Sequence, residues 1–149
     1  MRFISKAISH VENNTSFKKD ILLNLNNKQK SYRLGVTGPP GSGKSTIVNQ
    51  LVESFRKNKS KVAVLLVDPS SPFTSGSVLG DRIRVNKYYD DNNVFIRSIP
   101  SRNSTGGLSD NISQISDILE SACYDVIIYE TVGVGQVEID VVKEVDSVL

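Results

Sequence analysis

Tyr32-Arg33-Leu34-Gly35-Val36-Thr37-Gly38-Pro39-Pro40-Gly41-Ser42-Gly43-Lys44-Ser45-Thr46 decides the fold. A short apolar segment runs into G-x-x-x-x-G-K-[ST], and the apolar positions Ile47, Val48, Leu51, Val52 and Phe55 follow at helical spacing. Strand, glycine loop and helix in that order make a cradle for an anion. Gly41 and Gly43 let the backbone turn successive N–H groups inward, and the helix beginning near Lys44 directs its positive end to the same place. Lys44 supplies a mobile cation for β- and γ-phosphates, Ser45 a hydroxyl for Mg²⁺, and Thr46 a bond to an α-phosphate. Gly38 opens the loop. A glycine-rich turn without ligand is the bland alternative, and the flanking strand and helix argue against it.

Outward from this stretch the chain alternates. Val62–Val67 is a continuous apolar run, as in a strand buried on both faces. Val94–Ile99 and Asp125–Tyr129 read as further strands, and Val148-Leu149 as the start of another. Lys44–Asn58, Arg82–Tyr89, Ser109–Ala122 and Glu138–Val145 read as helices. The expected class is α/β: a mostly parallel sheet with helices on both faces. Ahead of it, Ile4, Ala7, Ile8 and Val11, then Phe17, Ile21, Leu22 and Leu25, suggest two short helices. Residues 1–30 are therefore expected as a helical extension and 31–149 as the nucleotide-binding domain.

In such sheets ligands bind beyond the carboxyl ends of the strands, so unusual polar residues should gather there. Asp68 follows the second strand; it either orders a Mg²⁺-bound water or polarises the attacking one, or it is simply a turn residue of Asp-Pro-Ser-Ser. Phe73–Asp81 is a polar, glycine-bearing loop of the kind that closes on a γ-phosphate. Its Asp81 is either a magnesium ligand or the N-cap of the next helix. Glu130 and Gly133 follow the strand at Asp125–Tyr129. Glu130 is placed to hold Mg²⁺ directly or through water, and the Gly133 N–H to touch the γ-phosphate. Gln136 stands three residues after Gly133, not beside it, so it is not read as orienting the attacking water. Asp68 and Lys44 are the residues expected to act in catalysis.

Composition sets bounds. The chain has 149 residues, a size typical of one domain, with 38% hydrophobic and 23% charged residues and a formal charge of +2. That charge does not argue for nucleic acid, and the basic runs carry no interleaved aromatic stripe. No apolar run approaches the length of a membrane span. Cys123 is the single cysteine, which excludes an internal disulfide; its apolar neighbours suggest a buried small hydrophobe. A cytoplasmic setting is expected.

The strings GVTGPPGSGKST (35–46), VAVLLVDPSSPFTSGSVLGDRIR (62–84), FIRSIPSR (95–102) and DVIIYETVGVGQVEID (125–140) together resemble the MeaB/ArgK family of GTPases, which includes the human methylmalonic aciduria type A protein. The likeness runs from about Ala7 to Leu149. It implies GTP as substrate, Mg²⁺ as cofactor, and chaperoning of an adenosylcobalamin-dependent methylmalonyl-CoA mutase or a relative. It carries phosphate contacts onto Gly41, Ser42, Gly43, Lys44, Ser45 and Thr46, metal and switch roles onto Ser45, Asp68, Asp81 and Glu130, and γ-phosphate sensing onto Gly133. Family members continue with a guanine-reading NKxD motif and a dimerisation arm, neither of which this sequence contains. Guanine preference is thus implied by the resemblance and not by a base-reading residue. The rival expectations are a truncated nucleotide-binding module without hydrolysis, or a P-loop ATPase or kinase of another family; basic amino-acid transport is a competing label for the family itself.

Overall fold

A computed structural model describes residues 1–26, 29–68, 88, 90–100, 108–131, 133 and 136–149, with only the backbone of Asp68, Leu108, Ser109 and Gln136. The described elements are α1 (Arg2–Glu12), α2 (Lys18–Leu23), β1 (Tyr32–Val36), α3 (Lys44–Lys57), β2 (Val62–Asp68), β3 (Val94–Pro100), α4 (Leu108–Ser121), β4 (Val126–Thr131), α5 (Gln136–Val142) and β5 (Ser147–Val148). The five strands form one parallel sheet in the order β3-β2-β4-β1-β5. This is the α/β architecture expected from the alternation of apolar runs. The helix expected over Arg82–Tyr89 and the loop Phe73–Asp81 lie outside the described residues, apart from Tyr88, which is buried.

Side chains on a strand alternate between faces, and here both faces are covered. Val62, Val64 and Leu66 of β2 and Val126 and Ile128 of β4 pack with Val48 and Val52 of α3. Ala63, Leu65, Val67, Ile127 and Tyr129 pack on the other face with Ile112, Ile115 and Leu119 of α4 and Val141 of α5. Ile8 and Val11 of α1, both fully buried, join that second cluster, so the first helix is packed into the core. Burying two aliphatic side chains in this way stabilises by about 1.5–3 kcal/mol each. Arg97 of β3 adds polar anchors: its guanidinium pairs with Glu12 and donates to the Ser5 carbonyl and to Ser9 Oγ, both at 2.9 Å.

Three expectations are corrected. Cys123 is exposed, because it occupies a left-handed turn (φ 61°) just past α4, with its amide bonded back to the Glu120 carbonyl at 2.8 Å. Ile47 leaves the apolar stripe of α3 and is 41% exposed; Val48, Leu51, Val52 and Phe55 make that face without it. The strand expected at Asp125–Tyr129 extends through Thr131, so Glu130 lies within β4 and not after it.

The topology places the site. From β1 the chain crosses by α3 toward β2, and from β4 by α5 toward β5, in opposite directions along the sheet. Right-handed crossovers in opposite directions lie on opposite faces. The neighbouring strands β1 and β4 therefore send their connections apart, and a crevice opens between their carboxyl ends.

Candidate functional site

The crevice is bounded by the β1–α3 loop on one side and the end of β4 on the other. In the loop, Gly38, Gly41 and Gly43 have positive φ (137°, 80° and 89°), a region that favours glycine. Gly43 starts α3 with no side-chain cap, and the first turn of the helix carries no acidic residue. The Thr46 and Ile47 amides bond back to the Gly43 carbonyl at 3.0 and 3.1 Å, and the Ser42 amide to Pro39 at 3.2 Å. The positive end of a 14-residue helix thus faces the crevice without a side-chain counter-charge of its own.

Lys44 is 8% exposed, unusual for lysine. Its ammonium lies over the loop, donating to the Gly38 carbonyl at 2.6 Å and the Pro39 carbonyl at 2.8 Å. The side chain curls back along the strand-to-loop junction, which puts the charge inside the turn of the glycine loop.

Glu130 comes to this place by strand parity. It lies two residues beyond Ile128, which packs against α3, so its carboxylate emerges on the α3 face. There Ser45 Oγ donates to Glu130 Oε1 at 2.6 Å. The pair joins the first turn of α3 to the end of β4 and sets two hard oxygen atoms side by side. Asp68 closes β2, in register with Pro100, one position beyond the pairing of Val67 with Thr131. Its side chain, and the whole of Asp81, lie outside the described residues. Among the described residues no group of three or more His, Cys, Asp or Glu is close enough to hold a metal ion.

Gly133 sits against the opening of the loop. Its φ is 84°, and a Cβ added there would stand 1.9 Å from the Gly38 oxygen. Only glycine allows the two backbones to approach in this way.

Three residues that the sequence reading passed over also converge here. Thr131 Oγ1 donates to Thr37 Oγ1 at 3.1 Å, and Thr37 Oγ1 to Glu138 Oε1 at 2.8 Å. A signal was present: threonines close two buried strands, at positions adjoining Gly38 and Glu130. Helical periodicity said only that Glu138 begins a helix.

With this geometry in hand, the comparisons with known proteins are specific. The family model described as "Methylmalonyl Co-A mutase-associated GTPase MeaB" matches residues 4–149. A putative GTPase of Pyrococcus horikoshii is 45% identical over 149 residues, covering 99% of this chain and 47% of that protein. GTPase ArgK of Escherichia coli is 48% identical over 116 residues, covering 78% of this chain and 35% of its own. A solved structure of a LAO/AO transport system kinase is 33% identical with a TM-score of 0.73, covering 97% of this chain and 43% of that one. The chain spans about half the length, or less, of the relatives it matches. It belongs to the MeaB family of methylmalonyl-CoA mutase-associated GTPases.

Proposed function

We propose that the β1–β4 crevice binds the polyphosphate of GTP with Mg²⁺ and hydrolyses its terminal phosphate, in the service of a methylmalonyl-CoA mutase or related adenosylcobalamin enzyme that needs its cofactor loaded or protected. A cytoplasmic location belongs to the same proposal. The observation that carries it is the 2.6 Å approach of Ser45 to Glu130 beside a lysine held inside a left-handed glycine loop.

The donor set suits the ligand. Mg²⁺ takes hard oxygens, commonly one or two carboxylates together with phosphate oxygens and waters, and Ser45 Oγ and Glu130 supply such a pair. Asp68 and Asp81 complete the proposed set from the sequence. When bound, the ion neutralises charge on the phosphates. The chain's own residues supply the rest. Amides of the glycine loop and the start of α3 bind phosphate oxygens, with Ser42 and Thr46 beside them, and Lys44 moves from its carbonyl partners to the bridging region between the β- and γ-phosphates. Gly133 offers its N–H at the γ end. Asp68 is the proposed group for orienting or deprotonating the attacking water.

Titration of a non-hydrolysable GTP analogue into the wild-type chain and Lys44→Ala tests this reading. Wild type should bind in the presence of Mg²⁺ and the variant should not; tight binding by Lys44→Ala overturns the assignment. Single-turnover hydrolysis then separates an enzyme from a module that holds nucleotide without cleaving it.

A further inference from the structure

Among the described residues, the end of β4, Gly133 and the first turn of α5 meet the end of β1, the glycine loop and the start of α3 at four points. Glu130 meets Ser45, Thr131 meets Thr37, Gly133 meets Gly38, and Glu138 meets Thr37. Three of the four fall on Thr37 and Gly38, the two residues that open the glycine loop. The hydroxyl chain is directional: Thr131 donates to Thr37, and Thr37 donates to a carboxylate, which when ionised can only accept. Thr131 is 1% exposed, so its hydroxyl needs a partner, and Thr37 alone would satisfy it. Glu138 is not required for that purpose. What it adds is a charge-assisted bond from the first turn of α5, on the far side of Gly133 from β4.

We infer that Glu138 is a positioning residue: through Thr37 it sets how the glycine loop lies against Gly133, and thereby how strongly the site prefers a nucleoside triphosphate over a diphosphate. This rests on the nucleotide reading proposed above. The two ligands differ only in the γ-phosphate, which is the group Gly133 would meet. The β-phosphate is held by Gly41–Thr46 and does not involve Glu138. Loss of the Thr37–Glu138 bond therefore acts on one ligand and spares the other.

The test is calorimetric titration of GTPγS and of GDP, each with Mg²⁺, into the full chain as wild type, Glu138→Ala, Glu138→Gln, Thr37→Val and Lys44→Ala. Glu138→Ala should lower GTPγS affinity about tenfold, equivalent to about 1.4 kcal/mol, while GDP affinity stays within about twofold. Glu138→Gln should keep the preference, because its amide oxygen still accepts from Thr37. Thr37→Val also strips Thr131 of its partner, so it should cost GTPγS affinity at least as much as Glu138→Ala, and adding Glu138→Ala to it should bring no further loss of the triphosphate preference. An equal loss for both ligands would make Glu138 a brace for the fold and overturn the inference, as would unchanged affinities. Those results leave the nucleotide reading standing. Binding that ignores Lys44→Ala in every background overturns that reading and the inference together.

Discussion

Ser45 Oγ and Glu130 Oε1 lie 2.6 Å apart, although 85 residues separate them in the chain. The contact exists because β1 and β4 are neighbours, in register at Val36 and Glu130, while α3 covers the face on which even-numbered β4 residues emerge. In the proposed function, this carboxylate and hydroxyl at an uncapped helix start are the site for a cation that a polyphosphate brings with it.

The first prediction concerns that pair. Ser45→Ala and Glu130→Gln should each lower triphosphate affinity in Mg²⁺ by at least about tenfold, the size of effect usual for groups that hold or orient a metal. In excess chelator both should bind as weakly as wild type. A loss that persists without Mg²⁺ would place the defect in the fold instead.

Gly133 and Gly41 make an internal comparison. Both have φ near 80°, so alanine at either meets the left-handed strain of about 1–2 kcal/mol. A Cβ at Gly41 meets nothing within 4 Å, whereas one at Gly133 meets the Gly38 oxygen at 1.9 Å and the Pro39 Cα at 3.1 Å. Gly133→Ala should therefore cost about 1–3 kcal/mol more than Gly41→Ala in urea unfolding. Equal costs would mean that the two loops are not in contact in solution.

The α1 helix gives a third. Arg97 and Glu12 are 18% and 12% exposed, between a surface pair and a fully buried one. Glu12→Ala should cost about 2 kcal/mol and speed amide exchange at Ile8 and Val11. Lys57→Ala, which breaks the exposed pair with Glu53, should change stability by less than about 0.5 kcal/mol.

The alkaline limb gives a fourth. Burial pushes the Tyr124 hydroxyl up to about 12 from its usual 10.0. Burial also raises Tyr129, whose hydroxyl bonds Ser116 in the core. Between pH 10 and 12 the unfolded chain releases these protons while the folded chain keeps them, so the folded state binds more protons and stability falls as pH rises. Below pH 10 their contribution is fully present. Urea midpoints against pH should drop across that window, and Tyr124→Phe should flatten the slope.

The sheet was readable because its central strands, β2 and β4, are buried on both faces and so appear as unbroken apolar runs such as Val62–Val67. The glycine loop was readable because its chemistry is compressed into eight adjacent residues. Distant pairings were not: nothing local in the sequence joins Thr37 to Glu138, since that contact depends on which strand lies beside which. Cys123 misled for a related reason. Its apolar neighbours suggest burial, but the chain there takes a left-handed turn that carries the side chain outward.

The most direct measurement is amide hydrogen exchange of the wild-type chain with and without Mg²⁺ and a non-hydrolysable GTP analogue. The account predicts new protection concentrated in residues 38–47 and 130–133, and its loss in Lys44→Ala. Protection absent from both segments, or appearing instead along α1 and α2, would contradict it.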